Sequence, residues 1–263
     1  VVDTLGVSAV AVNVFANGGL SWLDLPASAN LVVTGNASFN GDSLSVSGGT
    51  ITVSGTTTFG GGVSFTSGST FSSGGDVIFA SRNAQFSNAN VVVNGNATFG
   101  GTGAGRQGFA GGTLSISGNF SQIAGTVTGQ TGQTFSTSSD HITNFVGSTQ
   151  QNISFATPTT SSFSVLRLQN SSAAGVQLAT NAQIVNGTVQ PRVDILSGRL
   201  QVNSGANFTL NSGVMHLGLN TNLNLLGNIL SALSCTGRTT NNATITGAGL
   251  WNGTAYTAAT CTP

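Results

Sequence analysis

Very few residues in this chain could do acid–base chemistry. Its six carboxylates are all Asp (Asp3, Asp24, Asp42, Asp76, Asp140 and Asp194), its six permanent cations are all Arg, and it has two histidines, His141 and His216. Glycoside hydrolysis needs two carboxylates facing each other across the bond. No two of these Asp are near in sequence or share a repeat position. Eliminative cleavage of acidic sugars wants clustered Asp for a cation and a base to take the proton. Arg is a poor base, and Lys is absent. Asp140-His141 is the one acid–histidine pair, but neighbours on a strand point to opposite faces, so the pair is read as a solvated turn. His216 stands alone on an outward position. Ser is abundant, and none stands out as a nucleophile without a base beside it. These residues assign no catalytic site, no metal site and no cofactor.

Cys235 and Cys261 are the only cysteines. One pair near the end of a chain reads as a disulfide closing a terminal loop, which would place the protein in an oxidising, extracytoplasmic compartment. The alternative is two free thiols. Zinc is disfavoured, because no His stands at ligand spacing.

The elements that would carry such residues are strands. Only 5% of the 263 residues are charged, against about 25% in ordinary soluble domains. Lys and Glu, both good helix formers, are missing, while Gly, Ser, Thr, Asn and Val favour strands and turns. Leu31-Val-Val-Thr-Gly-Asn-Ala-Ser-Phe39, Ile51-Thr-Val-Ser-Gly-Thr-Thr-Thr-Phe59, Phe71-Ser-Ser-Gly-Gly-Asp-Val-Ile-Phe79 and Val91-Val-Val-Asn-Gly-Asn-Ala-Thr-Phe99 are four copies of one unit. They fix a period of about 20 residues, one solenoid coil per repeat. Gly35, Gly55, Gly75 and Gly95 form one column, read as a bend or close approach. Phe39, Phe59, Phe79 and Phe99 form another, read as an internal ladder of rings. Alternation at period two places Val33, Val53 and Val93 inside, and Asn36, Thr56, Asp76 and Asn96 outside. A looser second half-coil contains Leu44-Ser-Val46 and Val63-Ser-Phe65.

The Gly-rich stretch 100–108 breaks the register and is read as a loop extruded from one coil; it lacks the Lys and helix of a phosphate cradle. Coils resume at Leu114-Ser-Ile-Ser-Gly118. Alternation returns after 151, with the units Leu200-Gln-Val-Asn-Ser-Gly205 and Phe208-Thr-Leu-Asn-Ser-Gly213. The expected organisation is an N-terminal strand or first coil over 1–28, a solenoid with 20-residue repeats over 29–150, a continuing solenoid over 151–230, and a C-terminal cap over 231–263 holding Cys235 and Cys261. The apolar segment containing Val10, Val12, Val14 and Phe15 is either the first coil or an edge that joins a neighbouring subunit.

The units Val-x-Gly-x-Ala-Thr-Phe, Gly-Gly-Thr-Leu-Ser-Ile-Ser-Gly and Leu-x-Val-x-Ser-Gly resemble the repeats of bacterial secreted β-solenoid surface proteins, autotransporter passenger domains and filamentous-adhesin-like proteins among them. The resemblance spans roughly residues 29–230 and is one of repeat style. It implies a right-handed parallel β-helix exported to the cell surface. The chain departs from the autotransporter plan in lacking a C-terminal translocator barrel, and the Cys-bearing tail is foreign to it.

The formal net charge is +0, with no basic stripe to neutralise phosphates, so nucleic acid is not an expected partner. No apolar run reaches the roughly 18 residues of a membrane span. No signal peptide is visible; Val1-Val-Asp3 is how a processed or a trimmed chain would begin. Asn-x-Ser/Thr sequons at Asn36, Asn96, Asn119, Asn152, Asn170, Asn186, Asn207, Asn242 and Asn252 are compatible with glycosylation. The outward columns lack the clean Thr ladder that would suit an ice lattice. The expectation is an all-β, right-handed parallel β-solenoid, extracellular or at the cell surface, that self-associates into a homopolymer as a filament or surface-layer subunit. An adhesin or carbohydrate-binding module is the second reading, with Trp22, Trp251 and Tyr256 as the aromatic candidates, and a polysaccharide-degrading enzyme the third.

Overall fold

The computed structural model describes residues 4–7, 11–14, 22–41, 43–101, 104–125, 134–185, 192–210, 214–231, 244–247, 249–251 and 254–255. They form a parallel β-solenoid with three walls and no helix. The first wall is a ten-stranded sheet running from β1 (Thr4–Val7) to Val214–Leu217, and the second an eleven-stranded sheet from β2 (Ala11–Val14) to Thr244–Thr246. The third is divided. Six strands lead from β3 (Trp22–Pro26) to Ser136–Ser138, and five continue from Ala182–Ile184 to Thr254–Ala255. The bridges Ser136↔Ser162 and Phe163↔Ile184 carry the wall across the division. Strand pairing is parallel until the last pair, Leu250–Trp251 with Thr254–Ala255, which is antiparallel.

Register follows the repeat. Leu31, Ile51, Phe71 and Val91 lie side by side on the inner face of the first wall, and Val33, Val53, Ser73 and Val93 beside them. Inner residues are buried and the intervening ones face outward, because a strand's side chains alternate between the two faces. Ser73 is the polar member of its row; its hydroxyl is satisfied within the wall, donating to the Gly55 carbonyl at 2.8 Å.

The glycine column stacks at the corner between the first two walls. Gly55 N–H donates to the Gly35 carbonyl and Gly75 N–H to the Gly55 carbonyl, each at 3.0 Å. A Cβ on Gly55 would meet the Gly35 oxygen at 2.8 Å, inside van der Waals contact. Successive backbones are closer here than any side chain allows.

Phe39, Phe59, Phe79 and Phe99 stack face to face along the second wall, with centroids 5.5, 5.6 and 4.4 Å apart. The ladder ends at Gln122, which takes the next place in register and is followed by Phe155. This buried amide is held by Thr134, Thr157 and the Ile123 carbonyl. A second ladder, Phe65, Phe86 and Phe109, runs down the third wall at 5.2 and 4.5 Å. The two interlock edge to face, as between Phe79 and Phe86 at 5.8 Å, an arrangement favoured by the ring quadrupole.

Coil length varies along the chain. Partners are 20 residues apart between Asn36 and Thr56 and between Asp76 and Asn96, 23 between Asn96 and Asn119, and 33 between Asn119 and Asn152. The described part of the Gly-rich stretch is mostly paired strand. Ala97–Gly101 and Arg106–Ala110 are strands that between them take up most of it, and Gly108 pairs with Gln85 where a Cβ would strike the Gln85 side chain at 2.8 Å. Gly100 and Gly108 serve close packing between coils.

At the amino end, β1 pairs with Asn30–Val33 and β2 with Asn36–Phe39. Val12 and Val14 therefore stand in register with Ala37 and Phe39, in a coil of the same solenoid. Val10 and Phe15 lie outside the described residues, as do Cys235 and Cys261. Within 231–263, Thr244–Thr246 adds a strand to the second wall, and Leu250–Trp251 and Thr254–Ala255 add strands to the third. No helix among the described residues is long and apolar enough to cross a membrane.

Candidate functional site

Arg167, Arg192, Asp194 and His216 meet at one place, on the outer face of the first wall. Three successive coils put Arg167, Asp194 and His216 in register. Arg192, two residues before Asp194, shares its face. The Asp194 carboxylate accepts from Arg192 Nε at 3.1 Å and from an Arg167 Nη at 3.4 Å through Oδ2, while Oδ1 lies 3.1 Å from His216 Nδ1. The Asp194 side chain is 8% exposed, Arg167 and Arg192 27% and 30%, and His216 56%. Asp194 is thus the buried anchor, and the two guanidiniums and the imidazole are what solvent meets. His216, alone when read in sequence, has Asp194 as its partner. Nothing in a period of 20 could reveal this, because Asp194 follows Arg167 by 27 positions and precedes His216 by 22.

An Asp that orients an imidazole through Nδ1 leaves Nε2 toward solvent, as a general base requires. The remaining parts of a hydrolytic site are not assembled around it. Asp24, Asp76 and Asp140 are exposed elsewhere on the solenoid, and among the described residues no three His, Cys, Asp or Glu side chains gather as metal ligands. Two guanidiniums against one carboxylate leave the spot positive, which suits an anion.

The Asp140-His141 pair is a solvated turn only at Asp140. Asp140 is exposed, but His141 turns into the core beside Phe109, with ring centroids 5.0 Å apart. Its Nδ1 lies 2.7 Å from the Gly111 carbonyl and therefore carries the proton, while Nε2 has no partner. Burial lowers its pKa from 6.5 to about 4, and the hydrogen bond to Gly111 offsets only part of that. His141 is a neutral core residue.

Elsewhere the described outer surface is mostly polar, with scattered charges such as Asp24, Asp76, Arg82 and Asp140 and single apolar side chains such as Ile78 and Leu219. At the corner beside the glycine column, Asn36, Asp76, Asn96 and Asn119 each use Oδ1 to accept the N–H of the corresponding residue one coil on, at 2.7–2.8 Å. Four of the sequons, Asn36, Asn96, Asn119 and Asn152, stand in this column. Asn170 is buried, with Nδ2 donating to the Thr149 carbonyl and Gln151 Oε1, so its amide has no room for a glycan in the folded chain. Asn207 is half-buried in a shorter column with Asn181 and Asn228. Asn186, Asn242 and Asn252 lie outside the described residues, as does Tyr256, and the side chains of Trp22 and Trp251 are likewise not described. A groove beside Asn181 and Asn207, under Pro158 and Thr159, is lined by amides, hydroxyls and the exposed Leu230, with no ring for a sugar to stack on.

Comparison with protein-family models, with curated proteins and with solved structures gives no match to this chain.

Proposed function

We propose that the protein is an extracellular structural protein, a subunit of a filament or surface layer built by end-to-end association of right-handed β-solenoids. The observation that supports it most is the surface. Stacked coils are locked by interleaved Phe ladders, and the outside is hydrogen-bonded Asn, Ser and Thr with few charges to repel another copy. Such a rod is suited to bearing load and packing closely. The right hand follows from the preference of parallel crossovers. In the described chain β1, β2 and β3 each have one strand partner, so each offers an unpaired edge for a parallel strand. We read the protein as non-catalytic, because the Asp194–His216 pair lacks the second carboxylate or nucleophile that bond cleavage needs.

Sedimentation velocity over a concentration series tests this. Growth to species many protomers long supports the assembly reading, and a monomer at every concentration refutes it. A second reading, a surface module that binds carbohydrate, is favoured by the cationic spot around Asp194.

A further inference from the structure

We propose that Arg167, Arg192 and His216 form a binding site for an acidic polysaccharide laid along the solenoid axis. The site does not depend on the assembly reading.

One carboxylate needs one guanidinium. Asp194 has two, so the guanidiniums alone bring more positive charge than an internal ion pair requires. Arg192 reaches Asp194 through Nε, and no described residue accepts from its Nη atoms. Arg167, Arg192 and His216 are each partly exposed around a carboxylate that is itself covered. A guanidinium fork fixed in this way is preorganised for a bidentate contact with a carboxylate or sulfate.

The geometry favours a chain over a single small anion. Arg167, Asp194 and His216 sit on successive coils, so Arg167 and His216 are roughly 10 Å apart along the axis at about 4.8 Å per strand. A small anion reaches one end of that row; an extended polyanion reaches both. Beside it, Asn144 stands in register with Arg167 and donates to Gln169 at 2.8 Å. These amides are suited to sugar hydroxyls. Nucleic acid, the other common polyanion, needs a longer basic stripe than this neutral surface provides.

The test uses the two histidines as reporters on the full-length chain. Their imidazole Hε1 resonances are followed by NMR while trigalacturonate, neutral maltotriose or sodium sulfate is added. Saturable movement of the His216 signal with trigalacturonate, with His141 unmoved, is the expected result. Arg167→Gln and Arg192→Gln should each weaken it about tenfold, and Arg82→Gln, on an exposed residue elsewhere, should leave it unchanged. The His141 signal, shifted by the adjacent Phe109 ring, reports whether each variant is folded. Should Arg167→Gln unfold, Arg192→Lys serves in its place and should weaken binding, because the ammonium cannot reproduce the fork. Equal response to maltotriose, equal affinity for sulfate at the same charge concentration, or unchanged binding in folded Arg variants would overturn the proposal.

Discussion

His141 makes folding sensitive to acid, by an amount that can be worked from its surroundings. The ring is fully buried, its Nδ1 proton is held by the Gly111 carbonyl, and its pKa is lowered from 6.5 to about 4. Between those values the unfolded chain takes up a proton that the folded chain refuses. Stability is therefore highest above about pH 6.5, falls as the pH drops, and levels off below about pH 4. At about 1.4 kcal/mol per pKa unit, the gap from 6.5 to about 4 corresponds to a loss of about 3 kcal/mol, most of it present by about pH 4.5. Carboxylates also titrate in that range, so the contribution is isolated with His141→Gln, whose amide can still donate to Gly111 and does not ionise. Urea unfolding of both proteins, followed by β-sheet circular dichroism at pH 7.5 and about pH 4.5, gives the difference. The native protein should lose about 2–3 kcal/mol more than the variant. A difference near zero, or a His141 Hε1 signal that titrates near the ordinary 6.5, would refute the burial argument.

Other consequences follow from the same packing. Phe79→Ala removes a ring stacked 4.4 Å from Phe99 and in edge contact with Phe86 and Phe109; urea unfolding should show a loss of about 3–5 kcal/mol, and Phe79→Leu a smaller one. Gly55→Ala would drive its Cβ to 2.8 Å from the Gly35 carbonyl oxygen, and a melt should show about 1–3 kcal/mol of destabilisation. Asp194→Asn leaves two guanidiniums facing an amide; the expected loss is about 1–2 kcal/mol, less than for a sealed ion pair because the Arg side chains are partly exposed.

The part of the fold that repeats at a constant interval was legible in the sequence. Gly35 to Gly95 and Phe39 to Phe99 recur together because each coil there has one length, and alternation then assigned inside and outside. Where coil length changes, the same physics leaves no periodic trace. The second ladder, Phe65, Phe86 and Phe109, stacks as well as the first, yet its unequal spacing falls out of a fixed register. Arg167, Asp194 and His216 are brought together by two coils of different length, so their meeting is a fact of lateral pairing alone. His141 was misread because its acidic neighbour suggested a solvated turn; the strand alternation that separated the pair also sent the histidine into the core.

End-to-end assembly is tested most directly by negative-stain electron microscopy of the native protein beside a variant charged at its amino-terminal coil. Gly6 and Asn13 stand in register with the outward positions Val32 and Ser38, so Gly6→Lys with Asn13→Lys adds charge next to the open edges without touching the core, as edge strands that avoid association do. Eleven strands at about 4.8 Å make one protomer roughly 50 Å long. The account predicts filaments many times that length from the native protein and single short rods from the variant. Single short rods from the native protein at every concentration would contradict it.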